Sequence, residues 1–261
     1  MYQCCHFSFT ETEDKDLIIS LPDHYSEKKR YPVLYIMDGQ NAFFDEEAYS
    51  GVSWGFKETC DDLGLEVIMV AIPCVMNDEG RMGEYGPWKI SEELSYYHTG
   101  IEGKIIGGQG EAFIRGIVTE LKPYIDRTYS TDIHDTAIIG SSMGAVISAY
   151  ACLQYPDVFP KAACLSTAFW FYPGRFEDMV KQVDKHNIKR FYLDVGEYEG
   201  CGNTLTDQYY LESNHSVYVS LMKKRIPVYY QYIKGATHNE RAWRTRLPKV
   251  LTYLYQESTD Q

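Results

Sequence analysis

Among the seven cysteines, Cys4, Cys5, Cys60, Cys74, Cys152, Cys164 and Cys201, there is no CxxC pair and no zinc-ligand spacing. That removes a cysteine-held zinc site, and an odd cysteine count with several members inside apolar runs reads as reduced core thiols. An excess of positive charge is missing too. The formal net charge is -12, with acidic residues spread along the chain, which argues against nucleic acid or an anionic membrane surface as a partner. The opening segment, MYQCCHFSFTETEDKD, has neither a basic stretch nor a sustained apolar region, and no later run approaches the ~18 apolar residues of a membrane span. These absences predict a cytoplasmic protein. Asn214-His215-Ser216 matches a glycosylation sequon, which without a secretory signal is accidental.

Nucleotide and metal motifs are likewise absent. Gly107 to Gly110, GGQG, follows no strand run and lacks a P-loop lysine, and HNERAW at His238 is not HExxH. No metal or organic cofactor is therefore expected. Repeats, low-complexity segments and linkers are missing as well. With 261 residues and 44% hydrophobic content, the chain reads as one α/β domain over 1–261, compatible with a homo-oligomer.

What is present is a strand-helix alternation. Cys4 to Thr10 and Asp16 to Leu21 read as an antiparallel hairpin at a sheet edge. Strand runs follow at Val33–Met37, Glu66–Ile72, Thr136–Gly140, Lys161–Ser166, Arg190–Val195 and Val228–Ile233. Helical patterns alternate with most of them, notably Glu111–Ile125, a segment ending at Tyr155 before Pro156, and Asn239–Tyr255. This predicts a mainly parallel sheet with helices on both faces. Pro73 to Gly110 reads as a long irregular stretch able to wall an open pocket. Only one short helix, Glu177 to Lys185, fits before Arg190, so no large helical lid is expected.

The stretch Thr136 to Ala151 places Ser142 in Gly140-Ser141-Ser142-Met143-Gly144, between a strand run and a helix pattern. That is the setting of a nucleophile elbow, in which a sharp turn lifts the serine hydroxyl clear of the main chain. Flanking glycines let strand and helix approach, and the Met143 N–H at the helix start points to where an oxyanion would form. A serine needs a histidine base oriented by a carboxylate. Of the seven histidines only His238 lies after a late strand run and before the final helix, whereas His6, His24, His98, His134, His186 and His215 lie elsewhere. The acid belongs after Arg190–Val195, where Glu199, Glu197 and Asp194 compete. Loop reach favours Glu199, and Asp194, inside the strand, can point into a helix layer. The second oxyanion donor is expected from Asp38-Gly39-Gln40-Asn41, as the backbone N–H of Gln40 or else of Gly39. Arg81, Glu84 and Tyr85 could bind a polar substrate group or simply pair across the surface. Trp170 and Trp243 read as core or wall.

Taken together, YPVLYIMDGQNAFF, RMGEYGPW, ELKPYIDRTY, IIGSSMGAVISAYACLQYPDVF, LSTAFWF, YLDVGEYEG and GATHNERAWRTRLPKVLTYL resemble the Putative esterase family of α/β-hydrolases. Its members include enterochelin esterase, S-formylglutathione hydrolase and feruloyl esterase domains, and the match extends from about Tyr31 to Tyr255. The resemblance implies an α/β-hydrolase with serine, acid and histidine on Ser142, Glu199 and His238, the acid being the member that varies among relatives. It also favours Arg81, Glu84 and Tyr85 as pocket residues, beside Trp170 as a substrate-binding wall. Where the family often writes GSSMGG, this chain has Ala145, one step into the helix. The implied activity is hydrolysis of a small-molecule ester, such as a siderophore lactone, a hydroxycinnamoyl or acetyl ester, or a thioester. Acyl transfer on the same scaffold and a catalytically silent ligand-binding protein are the competing readings.

Overall fold

The computed structural model describes residues 1–256. Its strands are β1 (Tyr2–Phe7), β2 (Lys15–Ser20), β3 (Tyr31–Met37), β4 (Ile68–Ile72), β5 (Thr131–Ser141), β6 (Lys161–Leu165), β7 (Arg190–Tyr198) and β8 (Val228–Thr237). They form one eight-stranded sheet in the order β1-β2-β4-β3-β5-β6-β7-β8. The β1–β2 and β2–β4 pairs are antiparallel, and the pairs from β4 through β8 are parallel. The N-terminal hairpin thus forms one edge of an α/β-hydrolase sheet.

Helices α1 (Phe56–Asp62), α2 (Asp78–Tyr85), α3 (Glu92–Thr99), α4 (Gly110–Gly116), α5 (Lys122–Thr128), α6 (Met143–Gln154), α7 (Arg175–Gln182) and α8 (Thr204–Lys224) connect the strands, and α9 (Glu240–Tyr255) follows the last of them. Alternation along each strand divides the side chains between two faces. Val33, Tyr35 and Met37 of β3 join the cluster that includes Phe113 of α4, Val146 of α6 and Val217 of α8. Leu34 and Ile36 join the opposite cluster, with Phe56 of α1 and Trp243 and Leu247 of α9. Both faces being covered, the central strands are continuous apolar runs, and every residue of β4 and β6 is buried. After β6 the chain forms only short helical pieces around α7, which leaves the strand ends open. No helix among the described residues is long and apolar enough to cross a membrane.

Two segments depart from the sequence reading. Pro73 to Gly110, expected to be irregular, carries α2 and α3, each opened by a polar cap. Asn77 accepts from the Gly80 N–H at 2.7 Å, and Ser91 accepts from the Leu94 N–H at 3.3 Å. The second departure is α8, a 21-residue helix between β7 and β8. Its buried positions, Tyr210, Asn214, Val217 and Leu221, have helical spacing, but a tyrosine and an asparagine occupy two of them, so no apolar stripe marks the segment. The helix expected over Glu111–Ile125 forms as α4, a π-helical turn at Ile117–Leu121 and α5. Pro123, which cannot donate to the ladder, lies two residues beyond the widened turn.

Candidate active site

Ser142 sits between the end of β5 and the start of α6 with φ 55° and ψ -120°, a left-sided backbone that a non-glycine residue adopts only under strain. Hydrogen bonds hold it there. Its N–H donates to the Leu165 carbonyl at 3.0 Å, and its own carbonyl accepts from the Ala168 N–H at 3.3 Å. The glycines beside it are dictated by space. A Cβ on Gly140 would lie 2.3 Å from the Gly144 carbonyl oxygen, and one on Gly144 would lie 2.8 Å from Asp38 Oδ2.

Strand register brings histidine and acid together. The last pair between β7 and β8 is Tyr198 with Thr237, so the residues that follow, Glu199 and His238, leave the sheet side by side. His238 Nδ1 lies 2.7 Å from Glu199 Oε2, and the Glu199 side chain is wholly buried. Glu199 Oε1 accepts from the Gly196 N–H, a folding-back that a Cβ on Gly196 would crowd at 2.9 Å. Burial acts to raise the Glu199 pKa. Hydrogen bonds from His238, Ser166 and the Gly196 N–H, with the attraction of His238, outweigh burial and hold the carboxyl below the usual glutamate range. Beyond His238, the Asn239 side chain caps α9 by accepting from the Ala242 N–H at 3.0 Å.

The other two candidate acids point elsewhere. Asp194 shares a strand face with Tyr192 and is directed at α9. It accepts from Arg246 Nη1 at 2.8 Å, the Tyr192 hydroxyl at 2.9 Å and the Ser166 N–H at 3.1 Å. Glu197 accepts from the Gly235 N–H at 2.7 Å and ties β7 to β8 where their register shifts.

The loop after β3 is fixed by three contacts. Asp38 adopts φ 54°, and Gly39 to Asn41 make a short 3₁₀ turn, closed by the Asn41 N–H on the Asp38 carbonyl at 2.8 Å. Gly39 packs against β4, where a Cβ would come within 2.4 Å of the Ile72 nitrogen. The Gln40 side chain is tied to Cys74, accepting from its N–H at 3.2 Å and donating to its Sγ at 3.3 Å. The N–H groups of Gly39, Gln40 and Met143 all lie in first helical turns, where the ladder leaves donors unused.

Two depressions converge on Ser142 and His238. One, of about 380 Å³, is lined also by Gln40, Cys74, Arg81 and Trp243. The other, of about 510 Å³, is lined by Met143, Trp170, Glu199 and Tyr210, again with Arg81. Arg81 is held by a two-pronged pair, Nε to Asp38 Oδ1 and Nη2 to Asp38 Oδ2, both at 2.7 Å.

This chain belongs to a known family. The family described as Putative esterase matches residues 11–254. It is 25% identical over 241 residues to the uncharacterized protein YbbA of Bacillus subtilis (strain 168), covering 90% of each chain. Among solved structures, an IroE-like serine hydrolase from Shewanella oneidensis superposes with a TM-score of 0.77 at 21% identity, covering 97% of this chain and 79% of the other. The siderophore hydrolase EstA from Aspergillus nidulans gives 0.73 at 14% identity, covering 97% and 95%. Likeness at these identities speaks for the fold. The family membership adds that the chain is a carboxylic-ester hydrolase in broad class.

In this esterase, two residues expected to line the pocket do not. Glu84 pairs instead with Lys15 at 2.6 Å, both side chains buried, and accepts from the Val75 N–H at 3.2 Å. Tyr85 is fully buried, and its hydroxyl accepts from the Asp38 N–H at 2.8 Å. Residues three and four apart share a helix face, and Arg81 lies over the Tyr85 ring at 5.4 Å, so depth separates them: Arg81 stays partly exposed at the cleft while Glu84 and Tyr85, one turn later, are buried. Asp38, which orients Arg81, was visible in sequence only as a turn residue. Tyr210 was hidden with the rest of α8. Among the described residues no group of three or more His, Cys, Asp or Glu side chains is placed to hold a metal ion.

Burial pushes the Asp194 carboxyl up to about 6, against the attraction of Arg246 and the bonds from Tyr192 and Ser166. Replacing it leaves Arg246, itself buried, without its carboxylate. Asp194→Ala is expected to cost about 3–5 kcal/mol of folding stability, read by urea denaturation.

Proposed function

We propose that the chain hydrolyses a small or aromatic carboxylic ester through an acyl-enzyme on Ser142. The observation that carries this is the 2.7 Å contact of Glu199 with His238, in a cleft that His238 shares with a serine at φ 55°. His238 accepts the Ser142 proton as Oγ attacks the acyl carbon, and the carbonyl electron pair moves onto oxygen. The backbone N–H of Met143, with that of Gln40 or Gly39, donates to this oxyanion. Protonated His238 then delivers the proton to the leaving alcohol. Water activated by the same imidazole hydrolyses the acyl-enzyme, while Glu199 holds the tautomer and stabilises the imidazolium.

Arg81 supplies a fixed cation at the meeting of the two depressions, suited to a polar or anionic group of the substrate. Trp170, whose indole lies 5.9 Å from the Tyr97 ring at a right angle, offers an aromatic wall. The siderophore hydrolase among the structural neighbours adds weight to a siderophore ester as one class to assay. Paired depressions at Ser142 also leave room for an alcohol acceptor, so acyl transfer is the second reading. With glycerol competing against water, free acid is the expected main product by chromatography. A dominant glyceryl ester would assign acyl transfer, and purified protein that no fluorophosphonate labels would assign a silent binding scaffold.

A further inference from the structure

Tyr210 belongs to the helix that sequence patterning missed, and it faces the reacting centre. Only 6% exposed, it lines the depression that also holds Ser142, Met143, Glu199 and His238. Its ring centroid is 5.1 Å from that of His238 and 6.0 Å from that of Trp170. The helix carrying it is anchored one turn later. Asn214 Nδ2 donates to the Tyr210 carbonyl at 2.8 Å and to the Thr167 carbonyl at 2.7 Å, tying α8 to the loop after β6. A phenylalanine would fill the same ring space, so what tyrosine adds in this depression is a hydroxyl.

Resting on the serine-hydrolase reading above, we propose that the Tyr210 hydroxyl is a catalytic hydrogen-bond donor to the leaving alcohol oxygen, on the His238 side of Ser142. Trp170 prepares it. The buried indole Nε1 of Trp170, whose ring is one of Tyr210's neighbours, has no hydrogen-bond partner among the described residues. An indole N–H can only donate, so it can meet the phenol oxygen only at a lone pair and does not compete for the phenol proton. Burial pushes the phenol pKa up to about 12, with Ser142 and Trp170 offsetting part of that rise, and the group stays a neutral donor at neutral pH.

The step balances without a further reactant. When the tetrahedral intermediate collapses, the bond from carbon to the alcohol oxygen breaks and its electron pair goes to that oxygen. The proton arrives from His238. Tyr210 keeps its own proton and stabilises the negative charge that builds before proton transfer is complete. In the second half-reaction the attacking water passes through the same position.

Such a donor matters most when the departing oxygen is basic. The test compares kcat/KM of Tyr210→Phe and wild-type full-length protein on a p-nitrophenyl ester and an alkyl ester of one acyl group that wild type accepts in both forms. A loss of about tenfold is expected on the alkyl ester and less than about twofold on the p-nitrophenyl ester. Thermal denaturation of the two proteins should coincide, and Tyr218→Phe on the same helix should match wild type on both esters. Equal losses on both esters, or no loss on either, would overturn the assignment. Ser142→Ala run alongside separates the two levels. Retained hydrolysis there removes the serine mechanism and this assignment with it, whereas lost hydrolysis with leaving-group-independent effects at Tyr210 removes the assignment alone.

Discussion

Ser142→Ala is expected to lower kcat/KM for p-nitrophenyl acetate by about 10⁴–10⁶-fold and to abolish fluorophosphonate labelling. The size follows from what the substitution leaves behind. On the proposed mechanism, backbone donors at Met143 and the Gly39–Gln40 turn would still polarise a bound carbonyl, so residual catalysis above the water rate is expected, but no covalent route remains. Little folding free energy should change. Alanine loses an oxygen that helps hold no element, since the pinning bonds of residue 142 run through its backbone, to Leu165 and Ala168. The positive φ is retained by any non-glycine residue at that site at similar strain. A variant with wild-type denaturation and undiminished turnover would sink the acyl-enzyme mechanism.

Glu199→Gln should reduce kcat by about 10²–10⁴-fold, with a smaller change in KM. An amide in the buried position can offer its N–H₂ to His238 and favour the wrong tautomer, and it cannot stabilise an imidazolium. The same variant should alter acid stability. Because the folded carboxyl is held below its ordinary value by His238, Ser166 and Gly196 in spite of burial, its contribution to stability is present above the unfolded glutamate pKa. It is lost as pH falls through the depressed folded value. The glutamine variant should lack that component when urea midpoints are compared across acidic pH. Asp194→Ala gives the contrast, a large stability loss from an unpaired Arg246. If Glu199→Gln kept full activity, the orienting carboxylate would have to be sought at Glu197.

Much of this arrangement was legible from local signals. The elbow is a short-range device whose requirement for glycine at 140 and 144 arises within a few residues of Ser142, so the pentapeptide with its flanking strand and helix patterns sufficed. His238 could be selected because strand ends in a parallel sheet point one way, which leaves few histidines in a suitable loop. Asp194 was readable as strand-internal, and alternation turns it to α9. The pocket was less accessible. Glu84 and Tyr85 belong to a helix within a stretch that looked irregular, and which of three residues on one helix face stays open to the cleft depends on how the fold covers that face. Tyr210 needed α8, whose buried stripe includes a tyrosine and an asparagine and therefore lacks a hydrophobic signature.

The amino-acid sequence by itself determined the sheet and its helical layers, the place of Ser142 and the small set of side chains from which a base and an acid had to come. Those features arise from the periodicity of apolar residues and from local backbone demands. Tertiary structure decided the pairings. The register that ends on Tyr198 and Thr237 sets Glu199, rather than Glu197 or Asp194, against His238, and the approach of α2 to the β3 loop gives Arg81 to Asp38. Contacts between residues far apart in the chain depend on strand register and helix phase summed over the whole fold, which no local pattern encodes.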